Sequence, residues 1–529
     1  MNASAGIHKK RLLHFLLIAI IAFGIYANSI PNNFAFDEPV LIINNQAVHG
    51  LSLKHMEAVF TSVPNGLEYL PIRDISYMLD YDLWGLAPFG YHLLNVIIYA
   101  ASCLALYWAL LLLFEALGTG QEGFLAFIAA LLFAAHPAHV ESVAGVAQRK
   151  DVLSGLFFFL GMGFYLKSGV KKSAVSYTLS LLFCVLALLS KTTAIVFPAA
   201  IAFIEFWKSG GGEKTPWRKA TLRLLPFFIV TGGIAVLNFI VAARAGVVGA
   251  PASLSSKIPL SLAASVEYIK ILIVPYPLTL WHDDMLKISP ILSLSGALRL
   301  AFLLAILILV LIFRKRAPAP TFGGALMLVS LLPVIGLIRQ PAAVAERYLF
   351  ISSAGFCIAA AWALGNAARR KAGVLLLAAV LLAYSAITFE RNFDWKTGST
   401  LAEAGLRVNP RSARLNYFLG NIEFQNGRYA DAMDRFNTAG RLDPHYGFAA
   451  PFFKSLYLYN RGMCRDALQP LTGLDQLGFS DVYCLRGKIY ACLGENVQAR
   501  AEAQKALDAR RTIGYFFRPD ALALLGSTH

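Results

Sequence analysis

An all-α fold is predicted, with a polytopic membrane domain of about 11 transmembrane helices ahead of a short helical solenoid. Three observations predict it. Of the 529 residues, 57% are hydrophobic and only 15% charged, with a mean hydropathy of +0.59, values far from those of a soluble globular domain. Apolar runs long enough to cross a bilayer recur through the first 390 residues, and from Ser412 the pattern turns amphipathic and repeats.

The runs fall near residues 11–30, 91–115, 124–141, 151–166, 174–190, 192–207, 222–243, 291–313, 321–338, 348–367 and 372–389. The first follows Lys9, Lys10 and Arg11, a signal-peptide pattern that is read as a retained span because so many others follow. Further basic clusters recur after every second run: Lys167, Lys171 and Lys172; Lys208, Lys214, Arg218 and Lys219; Arg314 to Arg316; Arg369 to Lys371. Cytoplasmic loops carry such an excess. The net charge of +16 is therefore spread over short loops, which excludes a basic nucleic-acid groove and makes membrane lipid the surrounding partner. Residues 261–284 are apolar but hold Glu267, Lys270 and two prolines. Crossing there would put Arg314–Arg316 outside, so the stretch is read as re-entrant or surface-lying on the outer face. The first loop, 31–90, and everything after residue 390 then lie outside, in one domain over 1–390, a linker over 391–411 and a tail over 412–529.

The tail carries "NYFLGNIEFQNGRYADAMDRFNTAGRLDP", which has the shape of a tetratricopeptide repeat: small and aromatic residues where two helices pack, Gly427 at the turn, Pro444 after the second helix. Gly427, Asp431 and Ala432 recur as Gly462, Asp466 and Ala467, and Gly494 with Ala499 mark a weaker third copy. Such solenoids bind extended peptide, so the tail suggests a protein partner. Of the six cysteines, Cys464, Cys484 and Cys492 lie in the tail; a disulfide suits an extracytoplasmic tail, with no pairing assignable.

Four ionisable groups collect on the outer face: Asp37 with Glu38; His136, His139, Glu141, Arg149, Lys150 and Asp151 in "HPAHVESVAGVAQRKD"; Lys191; and Glu346 with Arg347. Ionisable residues at membrane depth are costly and mark function by default. Carboxylates mixed with cations suit a chemistry in which a base takes a proton from an acceptor while Lys and Arg hold a phosphate leaving group. No Walker loop or dinucleotide fingerprint is present, which turns attention to a lipid-linked phosphate. The bland alternatives are a solvated acidic pair and cations reaching for headgroups. HxxHxE lacks the HExxH spacing of zinc helices, and no metal site is assigned.

Together these stretches resemble the transmembrane and tetratricopeptide-repeat-containing (TMTC) proteins and, more distantly, the protein O-mannosyltransferases, integral-membrane glycosyltransferases of the C-type (GT-C) superfamily. The resemblance is carried by "FAFDEPVLIINN", "YLPIRDISYMLDYDLWGLAPFGYHLLNVIIYA", "HPAHVESVAGVAQRKDVLSGLFF", "LLSKTTAIVFP", "YIKILIVPYPLTL" and "AERYLF", in the family's order, with the repeat tail completing it. It implies transfer of a sugar, mannose or a similar hexose, from a polyprenyl-phosphate carrier to a hydroxyl of a protein, with inversion. In that superfamily an acidic residue of the first outer loop is the base, matching Asp37, with Glu38 in support. The resemblance also implies that His136, His139, Glu141, Arg149, Lys150 and Asp151 surround the donor phosphate and sugar, with Lys191 and Arg347 as further phosphate contacts. It leaves a divalent cation, Mg or Mn, open. The family's YRP is here Tyr69-Leu70-Pro71, with Arg73 three positions on. A glycolipid or polysaccharide acceptor, or a non-catalytic scaffold, are the alternatives. A bacterial inner membrane with the tail in the periplasm is the expected location.

Overall fold

The computed structural model describes residues 2–63, 68–208, 217–244, 254–337, 340, 342–509, 511–513 and 518–527; Lys214, one of the predicted cytoplasmic cations, lies outside them. Among these residues every regular element is helical, apart from a single bridge between Phe479 and Arg511. The chain divides into two units, Met1–Leu401 and Ala402–His529.

The protein is a multi-pass membrane protein with fewer spans than the eleven apolar runs suggest. Seven helices among the described residues are long and apolar enough to cross: His8–Ser29, Pro88–Ala116, Val146–Gly169, Arg218–Val241, Leu294–Phe313, Glu346–Ala367 and Lys371–Asp394. An eighth counts if Glu122–Ala135 and Pro137–Ala144, bent by 55° at His136, form one span. The bend has a local cause, since the ring of Pro137 pushes His136 out of the helical region, to φ −69° and ψ 122°. The three remaining runs hold helices that are too short. Ala174–Ser190, Pro318–Leu331 and Phe197–Lys208 have 17, 14 and 12 residues, roughly 26, 21 and 18 Å at 1.5 Å per residue, against a hydrocarbon core of about 30 Å. Composition alone cannot separate a span from a short buried helix, because both are continuously apolar.

Phe197–Lys208 and Pro318–Leu331 are largely buried, while Ala174–Ser190 leaves Val175 and Leu182 exposed. Gly323 on Pro318–Leu331 meets Gly355 on Phe350–Ala367 so closely that a Cβ on either would stand 2.5 Å from the other's carbonyl oxygen, the small-residue contact that lets helices approach where no water drives them together. By contrast, Phe228 and Ile229 on one long helix, and Leu307 and Leu311 on another, are exposed; so large an apolar surface requires lipid around it. The stretch read as re-entrant holds a helix, Leu254–Ile273, that is not among the spans.

The C-terminal unit is a series of helix hairpins: Ala413–Gln425 with Tyr429–Leu442, Ala449–Asn460 with the four-residue Cys464–Ala467, and Ser480–Cys492 with Asn496–Asp508. Gly427, Gly462 and Gly494 sit in the three turns with φ of 77°, 74° and 78°, a conformation costly to any residue with a Cβ. The core between the hairpins is aromatic, with Phe436 stacked on Phe453 at 4.4 Å and Phe424, Phe448 and Phe452 around them. Cys464 and Cys492 form a disulfide, 28 residues apart. Replacing Cys464 with Ser is expected to cost about 3 kcal/mol of the tail's stability through the freed loop, read as a lower thermal midpoint by circular dichroism. An unchanged midpoint would mean that the bridge does not form.

Candidate active site

The first helix and the last span finish side by side. Asn28 Nδ2 donates to the Phe389 carbonyl at 2.8 Å, Asn32 Nδ2 to the Asn392 carbonyl at 3.0 Å, and the Asn33 amide to the Lys396 carbonyl at 3.0 Å. The first loop folds over this end of the bundle. Its apolar residues Leu41, Ile42 and Val48 pack against Tyr77 and Met78 of the helix Pro71–Trp84 and against Val146 and Ala147.

Within that loop the acidic pair divides into two roles. Glu38 is buried and fully engaged: one oxygen accepts from the amides of Ala35 at 3.2 Å and Phe36 at 2.7 Å, the other from the amide of Ala147 at 2.9 Å. It pins the loop to the start of the third long span. Asp37 is half-buried and accepts from Gln148 Nε2 at 3.2 Å through Oδ2. Burial raises its carboxyl, against the pull of Arg347 and Lys150, to about 6, so it is a weak base at hand near neutrality.

The three residues after Gln148 open a helix and point to different sides. Arg149 turns inward, where it donates to Asn95 Oδ1 at 2.6 Å, the Tyr91 carbonyl at 2.8 Å and the Ser76 carbonyl at 3.2 Å, pairs with Asp80, and lies 5.0 Å from the centre of the Tyr77 ring. Lys150 reaches Glu68 at 2.6 Å. Asp151 pairs with Lys191, whose ammonium also donates to the Arg347 carbonyl at 3.5 Å. Arg347 pairs with Glu141, which also accepts from the Arg347 amide at 2.9 Å, and Tyr348 lies under both Lys191 and Arg347. Arg347, Lys150 and Glu68 are all near enough for their charges to act on Asp37.

Of the predicted site residues, Asp37, Lys150, Asp151, Lys191 and Arg347 are thus brought together, with Glu141 behind Arg347. His136 and His139 are buried elsewhere with both ring nitrogens in use. His136 bonds the Leu272 carbonyl at 3.0 Å and the Ala138 amide at 3.2 Å; His139 bonds Tyr99 at 2.9 Å and Ser353 at 2.7 Å. Glu346 faces away from Arg347, chelating Arg391 and accepting from His282 at 3.3 Å. Among the described residues no three His, Cys, Asp or Glu side chains gather as a cation site.

This chain is 26% identical over 471 residues to a protein O-mannosyl-transferase of Caenorhabditis elegans, covering 83% of this chain and 63% of that protein. To protein O-mannosyl-transferase Tmtc3 of Drosophila melanogaster it is 25% identical over 519 residues, 82% of this chain and 55% of the relative. To human protein O-mannosyl-transferase TMTC1 it is 28% identical over 490 residues, 80% of this chain and 54% of the relative. The chain is a distant homologue of the TMTC protein O-mannosyltransferases. It spans less than two thirds of the length of these relatives, and no family model matches it.

Several residues of the arrangement escape a reading by motif. Glu68 stands just ahead of "YLPIRD" in irregular chain, where an acidic residue carries no spacing signal. There it accepts from Lys150 and from Arg73 at 2.9 Å. Burial would raise its carboxyl, but the two cations hold it down at about 2. Gln148, Asn95 and Asp80 are likewise visible only through their partners. Arg73 is buried against Asp74 at 2.8 Å, placing a guanidinium beside Glu68.

Proposed function

We propose that the protein is a glycosyltransferase that moves a sugar, mannose or a similar hexose, from a polyprenyl-phosphate-linked donor to a hydroxyl of a protein on the extracytoplasmic face. The observation that carries this reading is Asp37: a carboxylate titrating at about 6, held by Gln148 through one oxygen, under the influence of Arg347 and Lys150. The O-mannosyl-transferase activity of the relatives agrees with it.

Asp37 accepts the proton of the acceptor hydroxyl as that oxygen bonds to the anomeric carbon. The bond from that carbon to the phosphate oxygen breaks, its electron pair leaves with the phosphate, and the configuration inverts. A developing anion in a site shielded from water is stabilised best by fixed cations, here Lys150 and Arg347, with Lys191 behind them. Glu141, Asp151 and Arg149 act as positioning residues, and His136 and His139 hold the bundle. Glu38 sets the loop that carries the base.

The tail is proposed to be a short tetratricopeptide solenoid that holds the acceptor. Hairpins with turn glycines 35 and 32 residues apart support it. Its exit from the last span beside the first loop and the Cys464–Cys492 bridge favour an oxidising, extracytoplasmic compartment, which for a bacterial inner membrane is the periplasm.

The test is incubation of the purified protein with radiolabelled polyprenyl-phosphate sugars and a lysate of its own cells. Label in protein is expected, and kcat/KM should fall about tenfold per pH unit below 6, because only the ionised Asp37 acts as base. Label confined to lipid would select a glycolipid acceptor. No incorporation from any donor would overturn the reading.

A further inference from the structure

Four cations line or support the candidate site, and each already has a carboxylate. Arg73 pairs with Asp74, Lys191 with Asp151, Arg347 with Glu141 and Lys150 with Glu68. A phosphate entering such a site finds no unpaired cation unless one pair opens. In the first three pairs neither side chain exceeds 8% exposure, and all three carboxylates belong to helices. The fourth differs: the Glu68 side chain is 36% exposed and stands in irregular chain ahead of Pro71–Trp84. Separating a buried pair strands a charge without water, whereas the Glu68 side chain already has over a third of its surface in solvent. When it leaves, Arg73 keeps Asp74 through Nε and Nη2 and gives up only its Nη1 bond to Glu68, whereas Lys150 loses its carboxylate. Lys150 is also one of the two cations whose charge acts on Asp37, so an anion seated on it lies close to the base.

We propose that the Glu68 carboxylate is an internal stand-in for the donor's phosphate, holding Lys150 in the empty site and giving way to the lipid-linked phosphate as it binds. The exchange swaps one single negative charge for another, so the local charge stays constant. This inference rests on the polyprenyl-phosphate reading above, and it makes Glu68 a competitor of substrate rather than a contact to it.

Equilibrium binding of farnesyl phosphate to the purified full-length protein in detergent tests it. Glu68→Gln is expected to bind about fivefold more tightly than wild type, as loss of a partly exposed pair allows. Glu68→Ala should gain similarly, while Glu68→Asp, which keeps the carboxylate, should bind like wild type. Lys150→Met should weaken binding, and adding Glu68→Gln to it should bring no gain. Unchanged or weaker binding by both Glu68→Gln and Glu68→Ala, or an equal gain in the Lys150→Met background, would overturn the proposal while leaving the lipid-phosphate reading intact. Failure of every form, wild type included, to bind farnesyl phosphate would instead overturn that reading and the inference with it.

Discussion

Asp37→Asn is expected to lower kcat for sugar transfer about 10²- to 10⁴-fold, with donor affinity little changed. The amide keeps the shape of the carboxylate and an oxygen for Gln148 Nε2, 3.2 Å away in the wild type, but it cannot take the acceptor's proton. The same substitution should stabilise the protein. The folded carboxyl titrates at about 6 against an ordinary 3.8, so folding favours its protonated form; the stability this lends is complete at low pH and is lost as pH rises through 6. Asparagine escapes that loss. The variant should therefore unfold at a higher temperature than wild type above pH 6, by about 1–2 kcal/mol once the half-exposure of the group is discounted, with the gain vanishing toward pH 4. Equal transfer by both proteins would remove Asp37 from the chemistry, and a lower midpoint would mean that its charge supports the fold.

The second large effect concerns Arg149, which its motif places at the donor and the geometry places in the interior. Arg149→Met should cost about 3–5 kcal/mol, the usual penalty for stranding a buried charge. The stranded partner is Asp80, which burial already raises to about 6 against the opposing charge of Arg149. Without the guanidinium it rises further, so the variant should lose least at acidic pH, where Asp80 is protonated. Asp80→Leu added to Arg149→Met should restore much of the loss, since neither charge then remains. A loss below about 1 kcal/mol for Arg149→Met would mean that the site is wetter than the side-chain burial of both residues indicates.

The fold class and the repeat of hairpins were legible in hydropathy and in glycine spacing, because both are properties of the chain itself. The number of spans was not, as Phe197–Lys208 and Pro318–Leu331 are apolar for the sake of protein neighbours instead of lipid, and Ala174–Ser190 is apolar over only 17 residues. The site was legible in part. Asp37, Lys150, Lys191 and Arg347 stood out as charges in apolar surroundings, but the direction of a side chain at a helix start was hidden. Arg149, Lys150 and Asp151 are consecutive, and one turn of helix sends them to Asp80, Glu68 and Lys191. Histidines His136 and His139 carry the chemistry of ligands in sequence and the occupation of struts in space. Glu68 had no motif at all, only a partner.

The clamp made by Glu38 has one more consequence. Its third hydrogen bond comes from the main-chain amide of Ala147, a residue with no functional group to conserve. The seating of the base thus depends on a position where any side chain that fits supplies the needed donor, and where proline alone, lacking the N–H, removes it. Its importance is written in the backbone, in an N–H that no other atom of the residue can replace.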